Sequence, residues 1–161
     1  MNRLWILAAL VTLATLTHGY KKGAPKESCD DMKPEHGVDP KTTKFPYSIT
    51  LSKSKIPPGG KVTVTLSGSD SETFKGYFVQ ARVGNKAVGH FDEAPGAGFV
   101  DCHGSVKSGI THSSNSEKKT VSLTWNAPKR LSEKVVFWVT MVKDGATFWV
   151  GKKSSQLEVR N

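Results

Sequence analysis

The chain has 161 residues and a formal net charge of +9, from 23 basic and 14 acidic side chains. This length suits a single domain that buries a hydrophobic core without needing many disulfides. The positive charge favours anionic partners: glycosaminoglycans, anionic lipids, lipopolysaccharide or cell-wall polymers. Beyond the N-terminal segment no apolar stretch has membrane length, so we expect no stable membrane insertion.

Residues 1–19 have the three-part layout of a secretion signal. Arg3 supplies the positive start, an uncharged apolar run extends from Leu4 to Leu16, and Thr17 and Gly19 are small residues before the cleavage point. The run is shorter than the roughly 20 residues of a membrane span. We therefore predict a signal peptide over 1–19 and one secreted, extracellular domain over 20–161. Its charge is +8, because only Arg3 is lost, and nucleic acid is not an expected partner.

Two cysteines are present, Cys29 and Cys102. In an oxidising compartment an isolated pair most simply bonds to itself. The loop that such a bond closes is long, so the bond would be worth roughly 4 kcal/mol in the entropic model. Residues 20–45 are rich in Lys, Pro, Asp and Gly and lack periodicity. We expect them to form an irregular arm that is held by Cys29.

From residue 46 the sequence predicts short strands separated by turns. The segments with alternating or continuous apolar residues are 47–52, 62–67, 74–83, 88–101, 120–125, 135–142, 147–151 and 157–160. The apolar run at 135–142 is typical of a strand covered on both faces, and Asp144-Gly145 indicates a hairpin. Helical periodicity is absent. The pattern predicts an all-β, antiparallel immunoglobulin-like β-sandwich, with a small barrel as the alternative.

Catalytic motifs are missing from the sequence. It contains no G-x-S-x-G elbow, H-E-x-x-H, C-x-x-C or P-loop. No histidine pairs with another at i+2 or i+4, so there is no local zinc signature. We expect no catalytic residue, no metal and no cofactor. One enzyme alternative stays open: cleavage after Thr17 would expose His18 as an N-terminal copper ligand, as in secreted oxidative polysaccharide-cleaving enzymes.

Basic doublets and two tryptophans form the candidate ligand-binding set. In a sandwich, doublets near turns can converge at one end. If Phe137 and Phe148 face the core, Trp138 and Trp149 lie together on an outer face suited to a sugar or an acyl chain. The alternative is that the arm or another strand covers them. The set is Lys118, Lys119, Lys129, Arg130, Trp138, Trp149, Lys152 and Lys153.

Ordered landmarks along the mature chain resemble a known family. They are Cys29-x-x-Met32-x-Pro34-x-His36-Gly37, Pro46-Tyr47-x-Ile49, the turn at 57–60, the strand at 74–82, the segment 96–102, Trp125-Asn126-Ala127-Pro128 and the run through Phe137-Trp138-Val139. Together they resemble a reeler (reelin-type) domain. A stand-alone, secreted, basic version is similar to the insect haemolymph defence proteins of the noduler type.

The resemblance implies a β-sandwich in which Cys29 and Cys102 form a disulfide. It implies an innate-immunity protein that binds lipopolysaccharide, lipoteichoic acid or glucan and promotes haemocyte aggregation and antibacterial defence. The reductase-like members of the family add transmembrane and haem-bearing parts that this chain lacks, so their activity is not implied. Two alternatives remain: an extracellular adhesion module for glycosaminoglycans or matrix, and a lipid or pheromone-like carrier with an apolar cavity between the sheets.

Overall fold

The computed structural model describes residues 23–161, in which two β-sheets pack face to face. A 3₁₀ helix, Lys26–Cys29, lies in the N-terminal arm. The strands of this part of the chain are β1 Tyr47–Leu51, β2 Lys55–Ile56, β3 Lys61–Gly68, β4 Gly76–Val83, β5 Lys86–Ala87, β6 His90–Phe91, β7 Ala97–Cys102, β8 Ser105–His112, β9 Thr120–Asn126, β10 Lys134–Asp144 and β11 Thr147–Val159. The predicted signal peptide, 1–19, lies outside the described residues.

The two sheets differ in size. The smaller one has the strand order β1-β3-β9-β6, and the larger follows β2-β11-β10-β4-β8-β7, with β5 paired to β4. Neighbouring strands are antiparallel except β2 and β11, which pair in parallel at Glu158 and Val159. The predicted all-β sandwich is confirmed, and two separate sheets favour it over the small barrel. The immunoglobulin-like label is approximate for this four-plus-seven arrangement.

Apolar side chains from both sheets fill the space between them. The alternation of β3 directs Val62, Val64 and Leu66 inward, where each is at most 1% exposed. Trp125 of β9 meets Phe137 of β10 edge to face, with 5.6 Å between ring centroids. The side chains at these positions are buried and pack against one another.

Strand β4 is buried on both faces. Tyr77, Val79 and Ala81 face the core, as their alternation predicts. The alternate residues of the strand point to the outer side of the seven-stranded sheet and are buried as well, because the N-terminal arm (residues 23–45) covers them. This outer layer positions the features described below.

Four strands differ from the sequence prediction. The two-residue strands β2 and β5 lie outside the predicted segments. Strand β8 was missed, because its small and polar residues obscure the alternation, although Ile110 reaches the core. Strand β11 is one element of 13 residues rather than two. Gly151 takes a positive φ of 63° within it, and register shifts against β10 absorb the irregularity.

Candidate functional site

A disulfide fixes the N-terminal arm to the outer face of the seven-stranded sheet. Cys29, at the end of the 3₁₀ helix, is bonded to Cys102, the last residue of β7, across a separation of 73 residues. The bond that the two cysteines predicted is therefore present. Cys29, Met32 and Cys102 belong to a small second apolar cluster on this side of the sheet, so the arm has a core of its own.

A buried arginine adds directional bonds between the arm and the sheet. Arg82 of β4 is 3% exposed, and its Nη2 donates to the carbonyls of Cys29 at 2.6 Å and Asp30 at 3.0 Å. Its Nε donates to Gln80 Oε1 at 2.9 Å. Burial lowers the pKa of the guanidinium, and the charge of Asp30 acts against this. Moving the arm would leave a buried cation without partners, which makes the path of the arm specific.

Trp149 lies in the core and not on an outer face. It is 5% exposed and pairs with Met141 across β10 and β11. Directly paired residues share a face of a sheet, and Met141 faces the core. The indole N–H donates to the Thr43 carbonyl of the arm at 3.2 Å. The sequence prediction is therefore reversed here: Trp149 is inside, and Phe148 points to the outer side beneath the arm.

Trp138 does point to the outer side, as predicted, but cations of the protein itself occupy its ring. The Arg82 guanidinium lies 4.5 Å and the Lys153 ammonium 4.3 Å from the ring centroid. Such cation–π contacts use the ring surface that a sugar would stack on. Of the two interpretations that the sequence left open, the structure favours covered tryptophans: Trp149 is in the core, and Trp138 is half-buried beneath two cations.

The doublet Lys118–Lys119 binds the protein's own backbone. Lys118 Nζ donates to three carbonyls of the surrounding loops at distances of 2.7 to 3.0 Å, and burial lowers its pKa. Lys119 Nζ donates to two carbonyls of the loop between β3 and β4. Both ammonium groups therefore stabilise loops, and neither is well placed for an external anion.

The predicted convergence of basic doublets at one end of the sandwich does not occur for two of them. Lys118–Lys119 immediately precedes β9, whereas the exposed Lys129–Arg130 follows its end. A seven-residue strand holds the two doublets roughly 20 Å apart.

The arm instead brings two further lysines to the third doublet. The Lys41 N–H donates to the Phe148 carbonyl at 2.8 Å, so the segment 41–45 runs beside the first half of β11. Lys152 Nζ lies 5.8 Å from the Phe45 ring centroid. Four lysines lie along this edge of β11, and Lys152 and Lys153 point to opposite faces of the sheet, because they pair with Val139 and Trp138. Lys41, Lys44, Lys152 and Lys153 are here called the arm–β11 patch.

The ammonium groups of the arm–β11 patch have no carboxylate partner among the described residues, although those of Lys152 and Lys153 lie over the Phe45 and Trp138 rings. None of the ion pairs within residues 23–161 includes one of its lysines, and Lys152 alone of the four is half-buried. Sequence reasoning missed Lys41 and Lys44, because the bonds that dock them on β11 join residues about a hundred positions apart. In the sequence, only their positive charge within the arm indicated that Lys41 and Lys44 could bind a ligand.

A cavity of about 300 Å³ lies between the arm and the outer face of the seven-stranded sheet. We call it the arm pocket. Its walls come from the arm on one side and from β4, β8 and β10 on the other. Most of the lining is apolar and includes Pro25, Met32, Pro34, Phe78 and Val142. This volume is at the lower end of small-molecule sites.

His36 contributes an unsatisfied polar atom to the arm pocket. The residue is 7% exposed, and its Nδ1 is the one buried side-chain nitrogen or oxygen in residues 23–161 without a hydrogen-bond partner. Burial lowers the pKa of His36, while the charge of Asp144 and a backbone hydrogen bond at Gly145 act against this. Buried side-chain atoms without a partner are uncommon in native proteins, and His36 is one of the residues that line the arm pocket.

Neither a metal centre nor a membrane span is found among the residues that the structure describes. From Gly23 to the C-terminus no three His, Cys, Asp or Glu side chains are grouped to hold a metal ion. Over the same range no helix is long and apolar enough to cross a membrane. His18, the residue of the copper alternative, lies outside the described residues.

Comparison with known proteins identifies relatives along the whole chain. Residues 27–161 match the family described as the Reeler domain, which is a non-enzymatic module. The chain is 39% identical to "Putative defense protein 1" of Antheraea mylitta, over 95% of each chain. It is 36% identical to "Defense protein l(2)34Fc" of Drosophila melanogaster, over 99% of each chain.

A solved structure supports the fold. The human F-spondin reeler domain superimposes with a TM-score of 0.60 at 18% sequence identity, covering 76% of this chain and 93% of that one. At this identity the likeness establishes the two-sheet architecture alone.

Proposed function

The chain belongs to the reeler domain family, and on that premise we propose that it is a secreted innate-immunity protein of the haemolymph that binds polymers of microbial surfaces. Similarity along nearly the full length of two relatives named as defense proteins carries the proposal. Because the match covers at least 95% of each relative, nearly all of their length has a counterpart in this chain.

The arm–β11 patch supplies the contact with anionic polymers. Lipopolysaccharide and lipoteichoic acid carry repeated negative charges, and the lysines of the patch have no carboxylate partner within the described part of the chain. One solvent-exposed ion pair is worth at most about 1 kcal/mol. Affinity therefore comes from several lysines engaging one polymer, and it must fall as salt screens them.

In our proposal haemocyte aggregation needs no second binding site on the protein. It results from many copies of the protein bound to one polymer. Many copies bound along one polymer present the same surface many times, and multivalent display converts weak single contacts into strong attachment. Glucan is uncharged, so its binding does not depend on the patch.

The experiment compares two double charge reversals. Lys152→Glu/Lys153→Glu removes half of the arm–β11 patch, and Lys129→Glu/Arg130→Glu makes the same change of net charge on the far turn. Retention on lipopolysaccharide, lipoteichoic acid, glucan and heparin is measured at low and physiological salt. We expect the patch variant to lose at least about tenfold in affinity for the two anionic polymers, as removing several screened ion pairs implies, and the control to stay near wild type.

Three outcomes would overturn parts of this proposal. Absence of retention on every microbial polymer removes the function. Equal losses in both variants show that net charge acts without a defined site. Stronger retention on heparin than on any microbial polymer favours the extracellular adhesion module instead.

A further inference from the structure

We propose that the arm pocket binds a single acyl chain whose anionic headgroup lies at the pocket rim. The site is distinct from the arm–β11 patch and goes beyond binding of polymers by charge. It is also distinct from a cavity between the sheets, because it lies on the outer side of the seven-stranded sheet.

The walls of the arm pocket match an acyl chain. Met32 is 1% exposed, and an unbranched thioether adapts its shape to a flexible ligand. The hydroxyl groups beside it are already used: Thr140 Oγ1 donates to the Met32 carbonyl at 2.8 Å, and Thr111 Oγ1 donates to the Tyr77 carbonyl at 2.7 Å. These threonines therefore offer little to a polar ligand, and water needs two to four polar partners to be held well.

Charges at the rim select the headgroup. Lys33 of the arm and Lys75, just before β4, line the pocket and are both exposed. One carboxylate, Asp144, lines it too, but its Oδ1 accepts a hydrogen bond from the Ala146 N–H at 2.9 Å. Two lysines against one engaged carboxylate favour a negative headgroup.

The size of the arm pocket limits the ligand to one chain. A cavity of about 300 Å³ cannot hold a lipid with several acyl chains. The chain has two possible sources, a free fatty acid or one chain of a larger microbial lipid such as that of lipopolysaccharide. The second source rests on the proposed function, whereas the first does not.

Dodecanoate is the probe that tests the site. Titration of the full mature protein with the series from octanoate to dodecanoate should show affinity rising about fourfold per added methylene, as burial of one CH₂ predicts. Methyl resonances locate the ligand within the same molecule. The Met32 methyl should shift on binding, and the Met141 methyl, which is 0% exposed in the inner core, should not.

Two substitutions on β10 distinguish a filled pocket from a general loss of stability. Val142 lines the arm pocket and Val136 does not, although both lie on β10 and are half-buried. Val142→Phe should weaken dodecanoate binding at least tenfold, and Val136→Phe should leave it within twofold. Lys33→Gln/Lys75→Gln should weaken dodecanoate but not dodecanol.

The sources are separated with lipopolysaccharide and its deacylated form. If Val142→Phe weakens binding of dodecanoate and of intact lipopolysaccharide, but not of deacylated lipopolysaccharide, the chain comes from the microbial lipid. If it weakens dodecanoate and leaves lipopolysaccharide unchanged, the ligand is a free fatty acid. No binding of dodecanoate, a shift of Met141 in place of Met32, or equal effects of the two valine variants would overturn the pocket. None of these results bears on charge reversal at the arm–β11 patch, so the two proposals fail separately.

Discussion

The seven-stranded sheet is covered in different ways on its two faces. Its inner face packs on the second sheet through periodic apolar residues and ring contacts such as Trp125 with Phe137. Its outer face lies under an arm with no strand periodicity, which is held by a disulfide, by Arg82 and by side-chain bonds to arm carbonyls. A second sheet can bury a whole apolar face at once, whereas an irregular arm buries less apolar surface. The disulfide and the directional hydrogen bonds therefore hold the arm in place of a large apolar contact.

The different coverage of the two faces indicates where ligand sites can form in this fold. The inner layer is filled by buried side chains of both sheets. The outer layer is less regular and leaves the arm pocket open, and the arm that forms it carries two lysines of the arm–β11 patch along the edge of β11. Both proposed sites therefore belong to the arm, and changes that loosen it should affect both.

Removing the disulfide should have the largest effect on stability. The disulfide closes a loop across a separation of 73 residues in the unfolded chain. In the entropic model, Cys29→Ala/Cys102→Ala therefore lowers the free energy of unfolding by about 4.4 kcal/mol. Urea denaturation measures this loss. Hydrogen exchange should show the arm amides, such as that of Met32, losing protection before those of β3 and β9. Simultaneous loss in both layers would show that they are one cooperative unit, and reduction of the wild-type protein is the independent check.

The two tryptophans give a second measure of the contrast between layers. Trp149→Ala leaves a cavity in the inner core and should cost about 4 kcal/mol. Trp138→Ala removes a half-buried ring with two cation contacts and should cost about 1 kcal/mol. Each variant serves as the control of the other in the same denaturation assay. Equal costs would contradict the placement of one ring inside and one outside.

The smallest predicted effect is a pH dependence that belongs to the outer layer. Because burial lowers the pKa of His36 below 6.5, the unfolded chain takes up a proton at this residue before the folded protein does. Stability is therefore lost as the pH falls below 6.5 towards the folded pKa. His36→Gln should flatten the stability profile in this window, and His90→Gln, at an exposed side chain of β6, is the matched control. An unchanged slope in His36→Gln would assign the acid sensitivity to other groups.

One register shift accounts for the wrong prediction at Trp149. Asp144 pairs with Thr147 at the hairpin, and a regular ladder from there would place Val142 opposite Trp149, on the outer side, as the sequence suggested. An irregularity between Val142 and Asp144 pairs Val142 with Phe148 instead. A shift of one residue exchanges the faces of every following side chain. Alternation within β11 is the same in both registers, so the sequence could not distinguish them.

The sequence by itself determined the β class, most of the strands, the inward residues of β3 and β4, and the pair of cysteines. These follow from local alternation and from there being only two thiols to join. Only the tertiary structure decided the path of the arm, the register of β11, the arm pocket and the gathering of the four lysines. Those depend on bonds between distant residues, such as Thr140 with Met32, 108 positions apart, and no local pattern encodes a contact of that range.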